Sequence, residues 1–132
     1  MRLQLRPQRG EPRGLLIYGT ALFNGDNGDA RLAQVAETLQ QSLDCDAVLI
    51  TRGSRGMALF EPGVPTVHVP IYGSDEIADV TGAGDTVMAT LTLALAAGAT
   101  VADAARLANY AGGLVVIKRG TATVTARELA RA

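Results

Sequence analysis

A chain of 132 residues has room for one modest domain with a buried core. With 48% apolar residues, 19% charged residues and a net charge of -1, it is not a disordered chain, and its total charge selects neither nucleic acid nor an anionic membrane surface. The single cysteine, Cys45, excludes an internal disulfide and is expected as a small buried residue in a cytoplasmic protein.

Taken in chain order, residues 1–13 read as a flexible basic lead. Arg2, Arg6, Arg9 and Arg13 are interrupted there by Pro7, Gly10 and Pro12. Residues 14–132 read as one folded portion. Gly14 to Gly19 is a short apolar strand between glycines. Asn24 to Asp29 is turn chemistry whose acids cap a helix from about Ala30 to Leu43, with Leu32, Val35, Ala36, Leu39 and Leu43 on one face. Ala47 to Ile50 is a buried strand ending at Thr51. Met57 to Glu61 and Val64 to Val69, joined by Pro62-Gly63, form a hairpin with His68 on its polar face. A polar loop leads to Asp79. A helix of small and apolar residues follows over 83–97, read as buried and stopped by Gly98; it is too short to span a bilayer. Thr100 to Asp103 resembles a capping box for a helix to about Val116, and Thr125 to Glu128 is a second box opening a short last helix. Strand–helix–strand order followed by two packed helices predicts an α/β sandwich with an attached hairpin.

Two segments carry candidate chemistry. In Asp79-Val80-Thr81-Gly82-Ala83-Gly84-Asp85, a small-residue turn between carboxylates runs directly into a helix. Such a turn presents bare N–H groups and the positive end of the helix dipole, which together attract phosphate. Asp85 places a carboxylate beside that anion site, and phosphoryl transfer needs both donors and a base. A glycine-rich loop with an aspartate in the first helical turn for dipole stability reads the same residues equally well. The second segment, Thr51-Arg52-Gly53-Ser54-Arg55-Gly56, lies where a strand ends, and ligands of open α/β sheets collect at such ends. Thr51 offers a hydroxyl, the glycines allow backbone approach, and the arginines bring charge. A glycine turn entering the hairpin is the other reading.

Together the segments narrow the alternatives. T-x-G-x-x-G-M-x-L-F, a hairpin, then D-V-T-G-A-G-D-T resembles the C-terminal half of ribokinase-like (phosphofructokinase-B family) sugar kinases. Leu107 to Val116 and Lys118 to Leu129 resemble the branch that phosphorylates D-glycero-β-D-manno-heptose 7-phosphate in ADP-heptose biosynthesis, a route to the lipopolysaccharide core. The resemblance covers about residues 30–132. It implies a partial ribokinase-like three-layer sandwich with mainly parallel strands, a β-hairpin and C-terminal helices. It also implies ATP with Mg2+ as cofactors, potassium as a monovalent cation, and a sugar phosphate as acceptor. Asp85 would be the catalytic base, with Gly82, Ala83 and Gly84 as the anion hole. Thr51, Gly53, Gly56 and Thr81 would line the nucleotide, Asn109 and Gly112 would flank adenine, and Asp79 and Thr81, with the Gly120 loop, would hold the monovalent cation. Each has a structural alternative: Asn109 as a helix-face amide, Gly112-Gly113 as close packing against the sheet, Lys118 and Arg119 as solvated charges.

The departures from the family pattern are as informative. Family kinases are longer, and their N-terminal half carries the first sheet strands, the sugar-binding residues and a lid. That half is expected from a partner chain, or the chain is expected to self-associate through the exposed sheet edge. An N-x-x-E motif that organises magnesium should precede the first helix; residues 20–27 lack it, leaving Asp26 or Asp29 as substitutes. A non-catalytic nucleotide-binding or assembly module is the alternative function.

Overall fold

A computed structural model of the chain describes residues 2–3, 15–19, 28–73, 82–118 and 120–132. The chain divides into two compact units: Met1–Gly53 with Met57–His68, and Ser54–Gly56 with Val69–Ala132.

The first unit is built on a five-stranded sheet in the order β1-β2-β3-β4-β5. These strands are β1 (Arg2–Leu3), β2 (Leu15–Gly19), β3 (Ala47–Thr51), β4 (Met57–Phe60) and β5 (Val67–Val69). β2 and β3 run parallel, from Leu15 opposite Ala47 to Gly19 opposite Thr51. A parallel pair needs a long crossover, and α1 (Gly28–Leu43) supplies it. β1 pairs with β2 and β3 with β4 in antiparallel register. Parallel strands therefore do not dominate the described sheet. The reason is connection length: between Thr51 and Met57 the chain has room only to turn back. Arg2–Leu3, placed by the sequence in a flexible lead, instead occupies part of the free edge of β2, where backbone groups otherwise lack partners.

α1 begins two residues before the expected Ala30, so Asp29 lies within its first turn, while the residue capping it is outside the described set. Its Leu32 and Ala36 are buried against Val48, Ile50, Ala58, Phe60 and Cys45, with Leu39 and Leu43 packed alongside. The helix stops where Asp44 takes a left-handed conformation (φ 48°), one that aspartate tolerates better than most side chains, and the Cys45 N–H donates back to Gln40 O. β4 is buried at every position, and β3 at every position before Thr51. In β5 the exposed His68 lies between half-buried Val67 and buried Val69.

The second unit pairs α2 (Ala83–Ala96) with α3 (Val101–Val116), followed by α4 (Ala126–Leu129). Val87, Leu91 and Ala94 make the buried stripe of α2, whereas Leu93 is 71% exposed. The helix is thus one-sided rather than buried all round. Its run of alanine, threonine and leucine gives no polar face by which sequence could have shown this. At its end the N–H groups of Gly98 (φ 91°) and Ala99 donate to Leu95 O and Ala94 O, the reciprocal closure of a glycine stop. Thr100 caps α3 by accepting from the Asp103 N–H at 3.1 Å.

Thr125 and Glu128 form the full reciprocal capping box of α4. Lys118, for which a solvated charge was one reading, donates to Glu128 Oε1 at 2.8 Å and to Thr123 O at 2.6 Å. It ties the end of α3 to α4. The Lys118 bond, then the backbone and hydroxyl bonds of Thr125, hold the Glu128 carboxyl at about 2, below its ordinary 4.5. A carboxyl whose pKa is lowered by folding stabilises above its unfolded pKa and loses that contribution as pH falls through the folded one. The contact is expected to be complete above pH 4.5 and to fail progressively toward pH 2. Carboxyl NMR titration of Glu128 checks this; a midpoint at its ordinary value would contradict it.

Candidate functional site

The carboxyl end of β3 provides the first group of residues. Thr51 is the last strand residue, half-buried, and lies opposite Gly19 on one side and Met57 on the other. Gly53 has φ 56°, and a Cβ there would meet nothing within 4 Å. Its backbone face is open to close approach. Gly56 differs: at φ 76° a Cβ would run into the backbone of Val69, Pro70 and Ile71. Chain packing alone therefore requires glycine at 56. Arg52, between them, has a side chain only 9% exposed, and its Nη2 lies 2.7 Å from Asp29 Oδ1 in the first turn of α1.

The second group is at the start of α2. Gly82 is the N-cap in a left-handed conformation (φ 80°, ψ -1°), and among the described residues no side chain caps the helix. Thr86 N–H donates to Gly82 O at 3.0 Å, closing the first turn. The N–H groups of Ala83, Gly84 and Asp85 precede that bond and have no acceptor within the helix. Gly84 is exposed, and a Cβ there would meet nothing within 4 Å. Asp85 is also exposed, one turn from the cap. α3 and α4, by contrast, are both capped by threonine hydroxyls.

Of the residues expected around adenine, Asn109 is 6% exposed, and its Nδ2 donates to Pro70 O at 2.7 Å. A Cβ on Gly112 would approach Val87 Cγ2 to 2.9 Å. Gly113 lies against the backbone and ring of Tyr72, which packs edge-on against Tyr110 at 4.7 Å. Gly112 thus admits helix α2 rather than the sheet, and Asn109 ties α3 to the segment after β5. Asp79, Thr81 and Asp26 lie outside the described residues.

Among the described residues, no three His, Cys, Asp or Glu side chains gather as metal ligands do. Asp29, a substitute for the missing glutamate, is engaged by Arg52. The Arg52–Asp29 pair was the contact that sequence reasoning missed. Its signal was a strand end and a helix start of opposite charge within one strand–helix–strand unit.

The pfkB family carbohydrate kinase profile matches residues 18–127. The chain belongs to that family. It is 48% identical over 102 residues to the bifunctional protein HldE of Methylococcus capsulatus, covering 77% of this chain and 21% of that protein. Against HldE of Pseudomonas aeruginosa it is 49% identical over 104 residues, 79% of this chain and 22% of that protein. Its fold is that of ribokinases. The ADP complex of Cryptococcus neoformans ribokinase superposes with a TM-score of 0.75 at 20% identity, over 89% of this chain and 44% of that one. Escherichia coli phosphofructokinase-2 in complex with potassium gives 0.71 at 18% identity, over 89% and 39%. This pfkB chain therefore spans about a fifth of the length of the curated relatives it matches.

Asn109 gives the test of the packing reading. Asn109→Ala leaves the Pro70 carbonyl without its donor, at an expected cost of about 1–3 kcal/mol. Urea unfolding measures it; an unchanged midpoint would mean that the amide does not hold this segment.

Proposed function

We propose that the chain is the nucleotide-binding and base-bearing part of an ATP-dependent sugar-phosphate kinase, with a heptose 7-phosphate as the acceptor. The observation that carries this is the uncapped start of α2, with exposed Asp85 in the same turn, in a pfkB-family chain. Donors aimed at the transferring phosphoryl group and a base beside the acceptor hydroxyl are the two requirements of the reaction. The N–H groups at Ala83, Gly84 and Asp85 receive the phosphoryl oxygens. Asp85 takes the proton of the sugar hydroxyl, whose oxygen attacks the γ-phosphorus as ADP leaves. Thr51 and Gly53 line the nucleotide from the end of β3, and Asn109 and Gly112 shape the adenine side by fixing α3. Magnesium arrives on the nucleotide, and a monovalent cation is assigned to Asp79 and Thr81. The kinase acts in the cytoplasm. The relatives named HldE and the sequence resemblance support the heptose acceptor. The sugar-holding part is supplied by the remainder of the kinase, in the same chain, a second copy or a partner.

The second reading, a nucleotide-binding module without turnover, is favoured by the engagement of Asp29, one of the two substitutes for the missing glutamate, with Arg52. The two are separated in the completed kinase by a coupled ADP-release assay. Asp85→Asn is expected to reduce phosphoryl transfer by about a hundredfold or more, with ATP affinity held within a few fold. Full turnover in that variant would remove Asp85 as the base; ATP binding without turnover in the parent would leave the module.

Gly84→Val tests the anion hole. The β-carbon has room, so the fold is expected to survive, but the side chain stands where a phosphate would approach. ATP affinity is expected to fall by about tenfold or more, about 1.4 kcal/mol, by calorimetric titration. An unchanged affinity with an unchanged melting temperature would contradict the assignment.

A further inference from the structure

The guanidinium of Arg52 is the described group least satisfied by its surroundings. Its side chain is 9% exposed, and its Nε–H is buried with no acceptor among the described residues. Arginine stays charged in proteins and carries donors in a fixed fork. Here a single carboxylate oxygen, Asp29 Oδ1 at 2.7 Å, faces Nη2. That contact also locates the guanidinium at the first turn of the 16-residue helix α1, whose leading N–H groups and dipole favour an anion. Asp29 itself is 68% exposed. An ion pair with one partner in solvent is weak and readily exchanged. Gly53, the next residue after Arg52, leaves its backbone face open. All of this lies at the carboxyl end of the parallel pair β2–β3, where open α/β sheets bind ligands.

We propose that Arg52 and the first turn of α1 form an anion site for a nucleotide phosphate, with Asp29 as the resident counter-ion that the phosphate displaces. A phosphate group has several acceptor oxygens and can take Nε–H and Nη2–H together, a two-point contact that Asp29 does not make. Displaced, Asp29 turns into solvent, and the buried charge stays neutralised throughout. This deepens the nucleotide-binding reading and rests on it. It assigns a specific role to a residue pair that a purely structural account would treat as a strut.

The two accounts predict opposite signs for one variant. If Asp29 competes with the ligand, Asp29→Asn tightens phosphate binding; if it only braces Arg52, the same change leaves binding unaltered or weakens it. The experiment is a titration of the 15N-labelled chain at low ionic strength with inorganic triphosphate and, separately, with ATP, followed by proton–nitrogen NMR. The Arg52 Nε–H signal is identified by its loss in Arg52→Lys or, if that variant does not fold, by through-bond assignment of the parent. It is expected to shift saturably with both ligands, and Asp29→Asn is expected to tighten the response by about two- to fivefold. A shift with ATP alone also supports the site and names the nucleotide as its occupant. An unmoved Nε–H, or an affinity unchanged or lowered in Asp29→Asn, overturns the proposal. The amide signals of Ala83 to Asp85 report the α2 turn in the same spectra. If those move while Arg52 does not, this inference fails alone; if Arg52 moves while they do not, the α2 assignment fails and this site stands.

Discussion

Close packing of α3 on α2 is the constraint on which the second unit depends. It is possible because position 112 carries no side chain: a Cβ there would approach Val87 to 2.9 Å. The same face of α3 then meets the segment after β5, with Asn109 holding Pro70 and Gly113 against Tyr72. The start of α2 is thereby set by a rigid, buried surface rather than by a cap of its own. This explains how a helix can leave its first N–H groups without a side-chain cap among the described residues. Its position is fixed from the side, so the end remains available for chemistry.

The two helices that follow are closed by threonine, and the contrast is chemical. Thr100 and Thr125 spend their hydroxyls on backbone N–H groups at 3.1 and 3.2 Å. Gly82 has no such group and bends the chain through a left-handed conformation that other residues enter only at a cost. At the carboxyl end of β3 the arrangement is different again. There a buried guanidinium, not a bare helix end alone, supplies the positive potential.

Much of this was legible in the sequence, for identifiable reasons. The 3.6-residue spacing of Leu32, Val35, Ala36, Leu39 and Leu43 reports a buried face; the structure buries Leu32 and Ala36 and packs Leu39 and Leu43 beside them, while Val35 is half-buried. The threonine boxes and Gly98 mark helix ends through local chemistry, and those ends are where expected. The order of T-x-G-x-x-G and D-V-T-G-A-G-D-T resembled a family to which the chain belongs. Long-range partners were not legible. Nothing local distinguishes a Lys118 in solvent from one bound to Glu128, or an Arg52 that binds ligand from one that meets Asp29 across a crossover. The direction of β4 against β3 was not legible either, because their apolar runs look alike in either orientation; only the short connection between them makes the pair antiparallel. The burial of α2 was overstated because small residues carry no facial signal.

The central claim is that the chain recognises the phosphates of a nucleotide, not merely its base, and calorimetric titration with ATP–Mg2+ and with adenosine tests it most directly. ATP is expected to bind at least about tenfold more tightly than adenosine, a difference of about 1.4 kcal/mol. Equal affinities for ATP and adenosine, or no heat with either, would contradict it.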